Sequence, residues 1–145
     1  MKTRPSILLI QNGKIMLLQY LYGDTAVCGI PGGGVNDGET LIDALVRELA
    51  EEVGVEIEVD DLACVVETPS AGTVKHTLHC VFTGVITRGK PQVNPEHTTA
   101  LGIVWADALQ LDELVLYPPV NDVVKAVLAG NYEARYLGLR ERTWF

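Results

Sequence analysis

The chain lacks any CxxC spacing, and its cysteines (Cys28, Cys64 and Cys80) are odd in number. That excludes a disulfide framework and argues for reduced thiols in the cytoplasm, each serving as a small core residue. Long hydrophobic runs are also missing. The apolar stretch near the start, Ile7–Ile10, is too short for a signal peptide and far too short for a membrane span. No linker is visible either, since seven Pro and fourteen Gly are scattered along the 145 residues. One domain over residues 1–145 is expected, long enough to bury a core without metal or disulfide staples. Positive charge is short as well, with 11 Lys or Arg against 19 Asp or Glu and a formal charge of −8. A basic face for duplex nucleic acid or anionic lipid is therefore not expected.

The acid is concentrated. Residues 33–61 hold ten Asp or Glu and one base, Arg47, whereas the rest carries nine acids and ten bases. Apolar residues at 48% and charged residues at 21% exclude a disordered, collagenous or coiled-coil chain. An acidic segment in such a chain either faces water or holds cations.

Periodicity indicates mixed α and β structure. Ser6–Ile10 and Lys14–Tyr20 are apolar runs joined by Asn12-Gly13, a strong hairpin signal. Val27–Ile30 reads as a short strand ending at Pro31. Gly32-Gly33-Gly34 then breaks regular structure. Thr40 with Asp43 matches a capping box, Leu41, Ala44, Leu45 and Leu49 recur at helical spacing, and Gly54 suits the helix end. Strands are expected over Val55–Val59, Leu62–Glu67, Lys75–Thr87 and Gly102–Ala106. A second helix is expected over Val120–Ala129, closed by Gly130.

Residues 33–55 carry the chemistry. Gly33 is followed by Glu39, then by Arg47-Glu48-Leu49, Glu51-Glu52, Gly54 and Val55, in the pattern G-x5-E-x7-R-E-U-x-E-E-x-G-U, with U aliphatic. On a helix starting near Thr40, Glu48 shares a face with Glu51 and Glu52. Three carboxylates near a helix C-terminus repel one another and oppose the macrodipole. A like-charged i,i+4 pair costs roughly 0.2–0.5 kcal/mol, and nothing in packing asks for it. A hard cation relieves the repulsion, because Mg²⁺ prefers carboxylate and water oxygens. Arg47 has Glu51 at i,i+4 and is able to reach Glu39 across the loop, where a guanidinium fork holds carboxylate rotamers in place. The glycines let backbone approach a metal or phosphate closely. A Glu-rich helix is ordinarily only a solvated face, but the complete spacing with the glycine loop and one embedded Arg argues otherwise.

This 23-residue pattern resembles the signature of the Nudix hydrolases, and Ile30-Pro31-Gly32-Gly33-Gly34 resembles the family's lead-in. The chain departs from many members in having Cys28 near a position where they carry Trp. The resemblance implies an α/β fold, an α/β/α sandwich around a mixed β-sheet. It implies Mg²⁺-dependent hydrolysis of a nucleoside diphosphate linked to another group, with Mn²⁺ as the alternative ion. By the same resemblance, Glu48, Glu52 and the Gly32 carbonyl are metal ligands, with Glu51 assisting. Arg47 and Glu39 are orienting residues, and Gly33, Gly34 and Glu39 are the expected substrate-binding residues. The general base is Glu51, Glu52 or a later glutamate, for which Glu96 in Asn94-Pro95-Glu96-His97 is the candidate and Glu67 the second choice. A surface loop acid is an equally ordinary reading of Glu96.

The box does not choose the substrate. A proline a short way past it is a loose marker of ADP-ribose hydrolases, and Pro69 lies fourteen residues beyond Val55. ADP-ribose or a nucleotide sugar is therefore ranked first, ahead of dinucleoside polyphosphates and (deoxy)nucleoside triphosphates. A nucleotide sensor without catalysis is the alternative of another class. Zinc at His76, His79 and Cys80 is not expected, because strand residues 76 and 79 point to opposite faces. The tail, with Tyr136, Arg140, Arg142, Trp144 and Phe145, is expected to pack on its own domain. Adenine stacking, phosphate pairing and closure of a homodimer are its other uses.

Overall fold

Asn12 and Gly13 both take positive φ, 53° and 72°, and close a tight turn between β1 (Lys2–Gln11) and β2 (Lys14–Tyr22). The two strands stay paired only at the turn, through Ile10–Ile15 and Gln11–Lys14. Beyond it β1 runs parallel to β5 (Thr77–Arg88), from Lys2–Thr77 to Leu9–Gly84. β2 instead takes β3 (Thr25–Gly29) and β6 (Gly102–Ala106), both antiparallel. The computed structural model describes residues 1–142.

The remaining elements are α1 (Leu41–Val53), β4 (Glu56–Thr68), α2 (Ala108–Leu111), β7 (Leu116–Tyr117), α3 (Asn121–Leu128) and β8 (Arg135–Leu139). The strand order is β7-β3-β2-β1-β5-β4-β8, with β6 added on β2. The sheet is mixed, since β1–β5, β3–β7 and β4–β8 are parallel and the other pairs antiparallel. Both faces are covered. Along β1, Ile7 and Leu9 pack with Leu45, Leu49 and Val53 of α1, while Leu8 joins Val120, Val124 and Leu111 on the opposite side. This alternation is the period-two geometry of a strand buried on both faces, and it makes the expected α/β/α sandwich.

The site-bearing helix forms where its caps dictate. The Thr40 hydroxyl accepts the Asp43 N–H at 3.1 Å, and Asp43 accepts the Thr40 N–H at 3.3 Å. Gly54 ends the helix at φ 69°, the left-handed conformation that glycine adopts most easily. Leu45 and Leu49 are fully buried, each contributing about 1.5–3 kcal/mol. That anchorage fixes which face of α1 carries the acids.

The structure differs from the periodicity in several places, among them the short helix α2 and the two-residue strand β7, which the periodicity does not announce, and the start of β5 at Thr77 rather than Lys75. The two runs expected over 55–67 are one strand, β4, with register shifts around Asp60 and Asp61 that absorb the polar interruption. β1 begins at Lys2 rather than Ser6, because pairing with β5 holds its polar start. The tail contributes a strand, β8, parallel to β4. Its five residues include Gly138 at φ 76°, a pattern too short and broken to register as a strand.

Candidate active site

The glycine loop reaches the site because β1 and β2 separate. Ile7 donates to the Pro31 carbonyl at 2.9 Å and Gly33 donates to the Pro5 carbonyl at 3.2 Å, so residues 31–33 bridge β1. The backbones come so close at Gly32 that a Cβ there would lie 2.1 Å from the Pro5 oxygen. At Gly33 a Cβ would lie 2.3 Å from Cδ of Glu48. The Glu48 carboxylate thus rests directly on the Gly33 backbone. At Gly34 a side chain would meet open space.

Arg47 organises the acids. Its Nε and Nη2 donate to the two oxygens of Glu39 at 2.8 and 2.9 Å. Nη2 also donates to the Gly34 carbonyl at 2.9 Å, and Nη1 to Glu48 at 3.0 Å and Glu51 at 3.3 Å. Glu39 accepts the Asn36 N–H besides, at 2.8 Å. The Arg47 fork and that N–H hold the Glu39 carboxyl below the usual carboxylate range. One guanidinium therefore ties loop and helix together, and Gly33, Gly34 and Glu39 are all engaged with the box itself.

Glu52 is set apart from this network. Its Oε2 is buried without a hydrogen-bond partner. Its carboxyl is pushed up to about 8, first by burial and then by the adjoining Glu48 carboxylate, with which it shares a hydrogen bond. Among the described residues no three His, Cys, Asp or Glu side chains converge as a ready cation cage, because Arg47 draws Glu48 and Glu51 toward itself. Two observations nonetheless fit a hard divalent cation. Glu52 presents an orphaned buried oxygen beside a second carboxylate, an arrangement that is costly without a positive partner. Gly33 leaves a cradle that holds that second carboxylate in place.

The segment after β5 brings a further acid to the same spot. Gln92 donates to Val53 at 3.1 Å and Asn94 to Glu52 at 2.8 Å, backbone to backbone, which staples residues 92–94 to the end of α1. Glu52, Glu96, His97 and Tyr20 then line one open cleft of about 410 Å³. Glu96 and His97 are exposed. Glu67 lies elsewhere, bonded to His76 at 2.8 Å and to the Tyr136 hydroxyl. Those partners lower its pKa and occupy both its oxygens, so the second-choice base sits away from the box.

A basic opening of about 530 Å³ lies at the start of β1. Lys2, Arg4, Lys75 and Arg142 line it together with Tyr22 and Tyr117. Arg4 connects it to the acids, donating to the Ile30 carbonyl at 3.1 Å and acting electrostatically on Glu52. Sequence reading missed Lys2, Arg4 and Lys75, since no spacing relates them and only the β1–β5 pairing gathers them. Pro69, directly after β4, lines neither this opening nor the Glu96 cleft.

The tail divides. Arg140 forks onto Asp122 at 2.7 and 3.1 Å, a structural pair on α3. Arg142 lies over the Tyr117 ring, 5.3 Å from its centroid. Tyr136 hydrogen-bonds Glu67, while Trp144 and Phe145 lie outside the described residues. His76 pairs with Glu67 and His79 with Thr68.

A family model, the NUDIX domain, matches residues 2–127. The NAD-capped RNA hydrolase NudC of Photorhabdus laumondii is 29% identical over 118 residues, which cover 81% of this chain and 42% of that protein. A putative 8-oxo-dGTP diphosphatase of Bacillus subtilis is 29% identical over 105 residues, covering 72% of this chain and 66% of its own length. The chain thus matches only part of both curated relatives. Among solved structures, a MutT NUDIX hydrolase from Burkholderia pseudomallei superposes with a TM-score of 0.71 at 25% identity, over 87% of this chain and 97% of that one.

Proposed function

This chain belongs to the NUDIX domain family, and on that premise we propose that it hydrolyses a pyrophosphate bond in a nucleoside diphosphate linked to a second group, using Mg²⁺. The observation that carries this reading is the carboxylate pair Glu48–Glu52, with Glu48 seated on Gly33 and one buried Glu52 oxygen lacking a partner. Glu48 and Glu52 would hold the cation, with the Gly32 carbonyl and Glu51 as supplementary oxygens. When bound there, such an ion would neutralise charge on the phosphates and lower the pKa of water. Arg47 and Glu39 act as positioning residues that keep loop and helix in register. Glu96 borders the cleft beside Glu52 and is assigned the general base that takes a proton from the attacking water. Mn²⁺ is expected to substitute for Mg²⁺, both being hard, oxygen-preferring ions.

The three cysteines are unpaired and buried, which suits the cytoplasm as the compartment of action. Among the described residues no helix is long and apolar enough to cross a membrane. The deciding experiment incubates purified protein with ADP-ribose, UDP-glucose, diadenosine tetraphosphate and dGTP, with and without Mg²⁺, and measures released monophosphate or phosphate. Turnover of at least one compound that vanishes with chelator is expected. Nucleotide binding without turnover of any of them would replace this reading with a sensor.

A further inference from the structure

The chain is acidic as a whole, yet its opening at the start of β1 is rimmed by Lys2, Arg4 and Lys75, and no Asp or Glu lies among the described residues lining it. Within the described residues neither lysine forms an ion pair. The Nη1 of Arg4 is buried without a hydrogen-bond partner. Burial, and then the positive charge of Arg4, Arg142 and Lys2, push the pKa of His79 down to about 3, so these cations all act on that one buried ring. A buried guanidinium nitrogen without an acceptor is costly. Nothing in the packing of β1 calls for such an arrangement, and an anion in the opening would offset it.

Neighbouring residues of β2 connect the opening to the box. Tyr20 and Tyr22 alternate on β2 and stack with centroids 6.1 Å apart. Tyr20 borders the Glu52–Glu96 cleft and Tyr22 borders the basic opening. Arg4 stands between them, bonded to Ile30 at the root of the glycine loop. A molecule whose pyrophosphate lies against Glu48 and Glu52 and whose remote end reaches past Arg4 would enter a space of about 530 Å³, a size suited to a small-molecule ligand portion. A neutral sugar there would leave the lysines and the Arg4 nitrogen without an acceptor.

We infer that this opening binds the end of the substrate remote from the scissile pyrophosphate and selects compounds that carry a further phosphate at that end. The inference rests on the hydrolase reading above and narrows its substrate class. Arg4 would donate from Nη1 to a phosphate oxygen, with Lys2 and Lys75 supplying charge at the rim. The selection acts on binding, so it shows in KM and Kd more than in kcat.

Matched pairs differing by one remote phosphate test it: coenzyme A against dephospho-coenzyme A, and NADPH against NADH. The phosphate-bearing member is expected to have a kcat/KM higher by about tenfold or more, the scale of one or two charge-assisted hydrogen bonds. Lys2→Ala and Lys75→Ala should each shrink that ratio, as should added salt. A direct titration of adenosine 3′,5′-bisphosphate against AMP, followed calorimetrically, reads the same preference without any turnover. Binding preference without hydrolysis would sink the hydrolase reading and keep the phosphate pocket. Hydrolysis with equal constants for both members of each pair, or a preference untouched by both lysine variants, would overturn the inference.

Discussion

Arg47 grips both carboxylate oxygens of Glu39 across eight residues of sequence, Nε to Oε2 at 2.8 Å and Nη2 to Oε1 at 2.9 Å. The same guanidinium reaches Gly34, Glu48 and Glu51. A planar fork with five donors fills this position, and the point charge of a lysine does not. Arg47→Lys is accordingly expected to lower turnover by about 10- to 100-fold, the usual cost of removing a group that orients metal ligands. Steady-state kinetics over a Mg²⁺ titration checks this; an unchanged kcat with unchanged Mg²⁺ dependence would remove Arg47 from its positioning role.

Glu52→Gln separates catalysis from stability. The wild-type carboxyl is buried beside Glu48 with an unpartnered oxygen, so its removal should leave the melting temperature of the metal-free protein equal or higher. Turnover should fall by at least about 10²-fold, and the rise in melting temperature on adding Mg²⁺ should disappear. Retention of that rise in the variant would place the cation elsewhere.

The two neighbouring glycines give a contrast. Gly33→Ala puts a Cβ into the space of the Glu48 carboxylate, whereas the same change at Gly34 meets nothing within 4 Å. Gly33→Ala is expected to abolish the Mg²⁺-induced thermal shift and to depress turnover strongly. Gly34→Ala should keep the thermal shift and cost less than about 0.5 kcal/mol of stability. Equal behaviour of the two variants in differential scanning fluorimetry would contradict the seating of Glu48 on Gly33.

Glu96→Gln tests the base. Glu96 borders the cleft but accepts no hydrogen bond from Arg47. The variant should lose about 10²-fold or more in kcat while keeping the Mg²⁺-induced thermal shift. A wild-type kcat returns the role to Glu52 or Glu51 of the box.

His79 sets a pH dependence of stability. It is buried, bonded to Thr68 at 3.0 Å and edge-on to Tyr117, with a folded pKa near 3 against 6.5 when unfolded. Between those values the unfolded chain binds the extra proton, so this contribution to stability is complete above about pH 6.5 and is lost as pH falls toward 3. Glu52, with its raised pKa, acts in the opposite sense from about 4.5 to 8. Subtracting urea-denaturation curves of His79→Gln from wild type cancels that shared contribution. The difference should grow with pH from 5 to 6.5 at up to about 1.4 kcal/mol per pH unit. A flat difference would mean that the His79 ring binds its proton as readily in the fold as in the unfolded chain.

Short-range chemistry made much of this protein legible from residue order. Thr40 and Asp43 had to cap a helix, Gly54 had to end it, and helical spacing then placed Glu48, Glu51 and Glu52 on one patch whatever the rest of the chain did. Asn12-Gly13 specified its turn for the same local reason. Tertiary structure decided what local rules do not reach. Only pairing of β1 with β5 brings Lys2, Arg4 and Lys75 to one opening, because residues more than seventy positions apart have no periodicity between them. Only the backbone bonds from Gln92 and Asn94 to the end of α1 carry Glu96 to Glu52 and leave Glu67 behind with His76 and Tyr136. Burial of the Glu52 oxygen is likewise a property of the assembled fold, since the exposure of one helical acid depends on what packs over it.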